Sequence, residues 1–196
     1  MSPSLRREFS RKALHLTSSL IPLLYWLVFS RRVVLIVVCA LLGVSLLIEI
    51  SRGVIPVFRR AVESWLGHML RSAERRQLSG ATWVLAAAAL SVALFDKPVA
   101  VTVLLFLSVS DSLAALIGAR FGRATLWGKS LAGSSAFLVS AFLIARLTTQ
   151  LSVPATLLVA AIATAAEAVP IQLGPLRVND NLAIPLVSGL AMTLAS

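Results

Sequence analysis

A chain of 196 residues that is 58% hydrophobic and only 13% charged is not an ordinary soluble domain, in which about a quarter of residues carry charge. Its net charge of +10 falls in the gaps between apolar runs, where topology signals and anionic head groups account for it, so nucleic acid is excluded as the expected partner. A single cysteine, Cys39, excludes an internal disulfide and reads as a packing residue within an apolar run.

Apolar runs at 13–29, 33–50, 80–95, 98–118, 131–147, 152–169 and 181–195 predict an all-α fold. The expectation is one integral membrane domain over 1–196, a polytopic bundle of about seven transmembrane helices. The basic N-terminus leads into an apolar stretch followed by Ser30-Arg31-Arg32 rather than a small-residue cleavage site, which reads as a retained first helix. Fourteen of the 18 Lys and Arg residues fall on the N-terminal side of the predicted topology. Only Arg31, Arg32, Lys97 and Arg146 fall on the other. The positive-inside rule then places the N-terminus in the cytoplasm and the C-terminus opposite.

Along the chain, the stretch REFSRKALH puts Glu8, Lys12 and His15 on one helix face with Arg11 beside them. This is either a salt-bridged helix start or a cationic cluster that faces nucleotide phosphates. Glu49 and Arg52, three apart in EISR, read as an internal ion pair within reach of Lys12 and Arg11. The segment 54–71 carries Val54, Phe58, Trp65 and Met69 at helical spacing opposite Arg59, Arg60, Glu63 and Arg71. It predicts an amphipathic helix on the inner membrane surface, as an anchor or as a gate for a lipid.

Asp111, in SVSDSLAALIGARFG, lies about 10 Å inside its span at 1.5 Å per residue. Charged groups in hydrocarbon need a partner or a task, and no basic residue stands within helical reach of it. Ser108 is one expected hydrogen-bond partner; a metal or a reacting group in a cytoplasm-facing cavity is the other reading. Ala114, Gly118 and Gly122 beyond it allow a helix or a ligand to approach closely. The stretch GRATLWGKS nearly spells a P-loop, but Gly122 is followed by five residues instead of four, and a membrane helix precedes it where a strand is required. Its chemistry still suits an anion: Arg123, Lys129, Ser130, Gly133 and Ser134 gather where a helix begins. Finally, Glu167, Asp180 and Asn181 flank a segment broken by Pro170 and Pro175. Oxygens from Asp111, Glu167, Asp180 and Asn181 are expected to converge on one Mg²⁺, with Asp180-Asn181 also suited to cap the last helix.

Taken together, EFSRKALH, EISR, ERRQLSGAT, DSLAALIGARFGR, GKSLAGSSA and EAVPIQLGPLRVNDNLAIPL resemble the phytol kinase and dolichol kinase branch of the polyprenol kinase family, which is related to the phosphatidate cytidylyltransferases. The resemblance implies a membrane enzyme that phosphorylates a lipid alcohol such as phytol, geranylgeraniol or a polyprenol, with CTP as donor and a divalent cation such as Mg²⁺. It implies that Asp111, Lys129 and Glu167 are catalytic, and that Asp111, Glu167 and Asp180 hold the metal. The nucleotide would lie against Arg11, Lys12, His15, Gly122, Arg123, Lys129, Ser130, Gly133, Ser134 and Asn181, with Glu8, Glu49 and Arg52 in supporting ion pairs. The chain has the size of a minimal prokaryotic member, which implies a bacterial or archaeal plasma membrane; a homo-oligomer is compatible with it. The competing readings are a phosphatidate cytidylyltransferase, a diacylglycerol kinase and, outside enzymes, a small transporter. Against transport, the charges gather toward one face and the halves do not match.

Overall fold

The computed structural model describes residues 12–13, 15–58, 60, 78–122, 124–170, 172–173 and 176–196. Glu8, Arg11, Arg123 and most of the 54–71 segment lie outside the described residues.

Helix occupies each of the seven apolar stretches. The first has helical residues at 12–13 and 15–17, turns at Ser18 and Ser19, and resumes as α1 (Leu20–Leu27). Next come α2 (Arg31–Val54) and α3 (Gly80–Leu94). One continuous stretch then comprises α4 (Lys97–Leu105), a π-helical turn (Phe106–Ser110) and α5 (Asp111–Phe121). A hairpin of β1 (Thr125–Leu126) and β2 (Lys129–Ser130) leads into α6 (Leu131–Thr148) and α7 (Val153–Ala168). A second hairpin, β3 (Gln172–Leu173) with β4 (Leu176–Arg177), precedes α8 (Asp180–Ala195).

Local chemistry sets these starts. Ser30, Ser79, Ser130 and Ser152 each accept an N–H of the following helix through their hydroxyl, satisfying a donor that a helix start leaves unpaired. Proline opens α4 and α7, where its missing N–H costs nothing.

Among the described residues, three helical stretches are long and apolar enough to cross a membrane: Arg31–Val54, Lys97–Phe121 and Leu131–Thr148. This corrects the expectation of seven transmembrane helices. The apolar helices α3, α7 and α8 have 15, 16 and 16 residues, or about 22–24 Å of rise against about 30 Å of hydrocarbon. The first stretch breaks at its two serines, leaving α1 with 8 residues. Val54 is the last residue of α2 and Ile55 leaves the helix, and helix resumes at 56–58 within the expected 54–71 segment.

The stretch 97–121 is the axis of the bundle, with 67% of its most apolar window buried against 11% for α2. On one side it meets α1 and α3 through Tyr25, Ala88, Val92, Val101 and Leu104. On the other it meets α6, α7 and α8 through Phe106, Phe137, Ala141, Ala160 and Ile184. Phe95 and Ile144 pack against both groups, so the core is continuous. Phe106 and Phe137 meet edge to face at 6.4 Å, the arrangement that aromatic quadrupoles favour. The outer faces are greasy: Ile36, Leu47, Leu94, Leu147, Leu158 and Leu194 are all exposed. Apolar cover this extensive marks a membrane-facing surface. Cys39 lies on that outer face rather than in the packing expected of it.

Small residues serve the tightest crossing. A Cβ on Gly133 would stand 2.6 Å from the Ala114 carbonyl oxygen and 2.9 Å from Ser130 Oγ, and one on Gly118 or Gly122 would strike Ser130. The Ala114–Gly118–Gly122 row therefore admits the start of α6. Gly133→Val is expected to cost about 1–3 kcal/mol through overpacking, read as a lower melting temperature in detergent. An unchanged melting temperature would mean that the crossing has slack.

Candidate functional site

A cavity of about 430 Å³ opens at the hairpin end of the bundle, a size that suits a small-molecule site. Lys12, Gly80, Asp111, Lys129, Ser130, Ser134, Glu167, Asn179, Asp180 and Asn181 line it, with Ala114, Gly118, Gly122 and Gly133 on one wall. Most of the sequence-predicted site residues that are described meet here. The exceptions are His15, which stands behind Asp111, and the Glu49–Arg52 pair.

Asp111 begins α5 immediately after the π-helical turn. Such turns insert one extra residue and recur at functional sites. The partner absent from its own helix comes from the N-terminal segment: Lys12 Nζ pairs with Asp111 Oδ2 and also donates to the Asp111 carbonyl at 3.3 Å. Both side chains are almost fully buried, 5% and 8% exposed. His15 Nε2 lies 3.5 Å from the same carboxylate oxygen and 2.8 Å from the Leu107 carbonyl. A carbonyl only accepts, so that nitrogen carries the proton. Ser108 is not the partner of Asp111, because its hydroxyl donates to the Leu104 carbonyl at 2.9 Å. Nor do Lys12 and His15 form a free cationic surface, since both are turned onto Asp111.

A second charged group sits across the cavity. Lys129 Nζ donates to Glu167 Oε1 at 2.7 Å and lies 3.6 Å from Asp180 Oδ2. Burial pushes the Lys129 ammonium toward neutrality, but the Glu167, Asp180 and Asp111 carboxylates outweigh this and hold its pKa above the usual lysine value. Lys129 is therefore a cation throughout the neutral range. Glu167 is 5% exposed, and its Oε2 has no hydrogen-bond partner. A buried carboxylate oxygen without a donor is unusual, because leaving it unpaired costs about 1–3 kcal/mol or more. It is the one site carboxylate oxygen so placed among the described residues.

The hydroxyl of Ser130 caps α6 by accepting from Gly133 N–H at 3.0 Å, so that helix start faces the cavity as expected. The sequence GRATLWGKS is a tight hairpin with register Thr125↔Ser130 and Leu126↔Lys129, not a phosphate-wrapping loop. At α8 the cap is Asn179, whose Oδ1 accepts from Asn181 N–H at 3.0 Å, instead of the predicted Asp180-Asn181. This leaves Asp180 half-exposed in the first turn, and Asn181 Nδ2 donates to the Gly80 carbonyl at 3.4 Å.

Glu49 and Arg52 pair with each other. Glu49 Oε1 also accepts from Ser79 N–H at 2.9 Å and from Thr82 Oγ1 at 3.3 Å, tying the end of α2 to the start of α3. Gly80, Asn179, Thr125 and Gly128 were missed as lining residues; the signal for Gly80 was the capping serine in ERRQLSGAT.

The predicted convergence of Asp111, Glu167 and Asp180 on one ion is not seen as such. Among the described residues no group of three or more His, Cys, Asp or Glu is placed to hold a metal. The lysines divide the carboxylates: Lys12 takes Asp111, and Lys129 stands between Glu167 and Asp180. A smaller donor set does fit a divalent cation, because Mg²⁺ typically takes one or two carboxylates and completes its shell with phosphates and water. Glu167 and the half-exposed Asp180, both in contact with Lys129, are two such carboxylates at the cavity wall.

No protein-family model and no solved structure matches the chain. Over 192 residues it is 31% identical to "Uncharacterized protein RP860" of Rickettsia prowazekii (strain Madrid E), across 95% of this chain and 94% of that one. Identity sustained over nearly both full lengths reflects common descent, and the chain belongs to the family of that Rickettsia protein.

Proposed function

We propose that the chain is a membrane kinase that transfers a phosphoryl group from CTP to the hydroxyl of an isoprenoid lipid alcohol. The observation that carries this reading is the cavity itself, lined by Lys129, its carboxylate partner Glu167 and a glycine-walled helix start. Phosphoryl transfer asks a protein mainly for positioning and charge neutralisation, and such a set supplies both. The choice of CTP and of an isoprenoid acceptor rests on the resemblance of the motif blocks.

In this reading the apolar bundle lies in the membrane, with the N-terminus and cavity at the cytoplasmic side and the C-terminus opposite. Lys129, Ser130 and Ser134, at the positive end of the α6 dipole, hold the phosphates. Glu167 and Asp180 would hold the Mg²⁺, which when bound neutralises charge on the phosphoryl oxygens. Asp111 is a buried carboxylate of the cavity wall, and the lipid hydroxyl reaches the cavity from the membrane. The hydroxyl oxygen bonds to the γ-phosphorus, the bond from that phosphorus to the β–γ bridging oxygen breaks, CDP leaves, and the hydroxyl proton passes to Asp111. Lys12 and His15 keep Asp111 aimed.

The test is purified protein with Mg²⁺, CTP and a panel of lipid alcohols, diacylglycerol and phosphatidic acid, read by its products. CDP with a lipid monophosphate is expected, falling about 10²–10⁴-fold in Asp111→Asn. Pyrophosphate with a CDP-lipid would replace the kinase by a cytidylyltransferase; neither product with any donor would overturn both.

A further inference from the structure

The β1–β2 hairpin carries a feature that the cavity does not use. Its two-residue turn holds both central residues at positive φ, Trp127 at 52° and Gly128 at 81°, as hairpins of this length favour. Glycine adopts that conformation freely. Tryptophan does not; Asn, Asp or Gly normally fills the first position. Among the described residues Trp127 is the sole non-glycine with positive φ. Its side chain is 61% exposed, and the flanking helices end and begin on the exposed apolar residues Phe121, at 64%, and Leu131, at 50%. Strain retained at an exposed apolar tip points to something outside the chain.

The flanking helices say what that is. The stretch ending at Phe121 has 25 residues, the helix beginning at Leu131 has 18, and both are apolar enough to cross a membrane. The connection between them therefore sits where hydrocarbon gives way to water. The head-group layer is about 5–7 Å deep on each side, and a two-residue strand reaches about 7 Å. Tryptophan is among the side chains enriched in that layer, with an apolar ring and an N–H donor. Arg120 stands 5.6 Å over the Phe121 ring, a cation at the level of lipid phosphates. Thr125, Gly128, Lys129 and Ser130 of the same hairpin line the cavity.

We propose that the β1–β2 hairpin dips into the lipid head-group layer with Trp127 as its anchor, and that this contact holds Lys129 and Ser130 at the cavity wall. The inference requires a bilayer but not the kinase reaction, so either can fail without the other.

Replacing Trp26, Trp65 and Trp83 by phenylalanine leaves Trp127 as the only one of the chain's 4 tryptophans. That protein is reconstituted in vesicles whose lipids are brominated either close to the head group or near the chain end. Stronger quenching by the shallow bromines, with little by aqueous acrylamide, is expected. Quenching by acrylamide alone, or stronger quenching by the deep bromines, overturns the proposal. Should the triple variant not fold, Trp127→Asn in the otherwise native chain gives the same answer, because Asn-Gly suits this turn. It should keep the melting temperature and lose the shallow-quenched part of the emission; retention of that part overturns the proposal equally.

Discussion

Lys12→Met should be among the most destabilising single substitutions in the chain. It removes the ammonium that pairs with Asp111 while leaving the carboxylate buried, 6% exposed, beside the π-helical turn. Breaking a buried pair by removing one partner costs about 3–5 kcal/mol, chiefly because the remaining charge is uncompensated. The diagnostic comparison is the double variant Lys12→Met with Asp111→Leu, which buries no charge at all. It should regain most of the lost stability, since replacing both partners of a buried pair by apolar groups is often neutral or better. Equal melting temperatures for the native chain and the single variant would show that Asp111 does not depend on Lys12. A double variant no better than the single would instead show that Lys12 acts through its packing.

The positions of the helices were legible because seven apolar runs separated by basic gaps leave few other arrangements, and observed ends such as 131–148 and 153–168 lie within a residue or two of those expected. Their capacity to span was less so. The break at Ser18 and Ser19 lies inside an apolar run that hydropathy alone reads as continuous, and helices of 15 or 16 residues look longer in sequence once flanking apolar residues are counted. The hairpins were hidden for a different reason. Strands of two residues carry no alternation to detect, and Trp-Gly in place of Asn-Gly removes the usual turn signal.

At the site, residue types and the cavity wall were readable from local motifs, but their pairing was not. Lys12 and Asp111 are 99 residues apart, and Lys129 and Glu167 are 38 apart. Only tertiary packing brings either pair together, so Asp111 looked unpartnered along its own helix and Lys12 looked free for phosphate. The π-helical turn that aims Asp111 leaves no mark in FLSVSD, a sequence equally suited to α-helix. The assignment of Asn179 as cap over its neighbour Asp180 was likewise decided by backbone geometry that either side chain would satisfy.

Lys129→Met is expected to make the protein's stability depend on a divalent cation. In the native chain the ammonium occupies the space between Glu167 Oε1 and Asp180 Oδ2, at 2.7 and 3.6 Å, and so competes with any ion those carboxylates would hold. Removing it leaves Glu167 buried with neither oxygen paired by a lysine. The variant alone should melt below the native chain. Added Mg²⁺ should then raise its melting temperature more than it raises the native one, because a ligand present at about 100 times its dissociation constant stabilises by about 2.7 kcal/mol. Activity should still fall about 10²–10³-fold, the usual cost of removing one preorganised group that stabilises transferring charge. The two readouts separate the roles. An equal Mg²⁺ response in both proteins would remove Glu167 and Asp180 as ion ligands while leaving Lys129 as a phosphate contact. A larger Mg²⁺ response with undiminished turnover would instead make Lys129 a gatekeeper of the ion site with no part in holding phosphate.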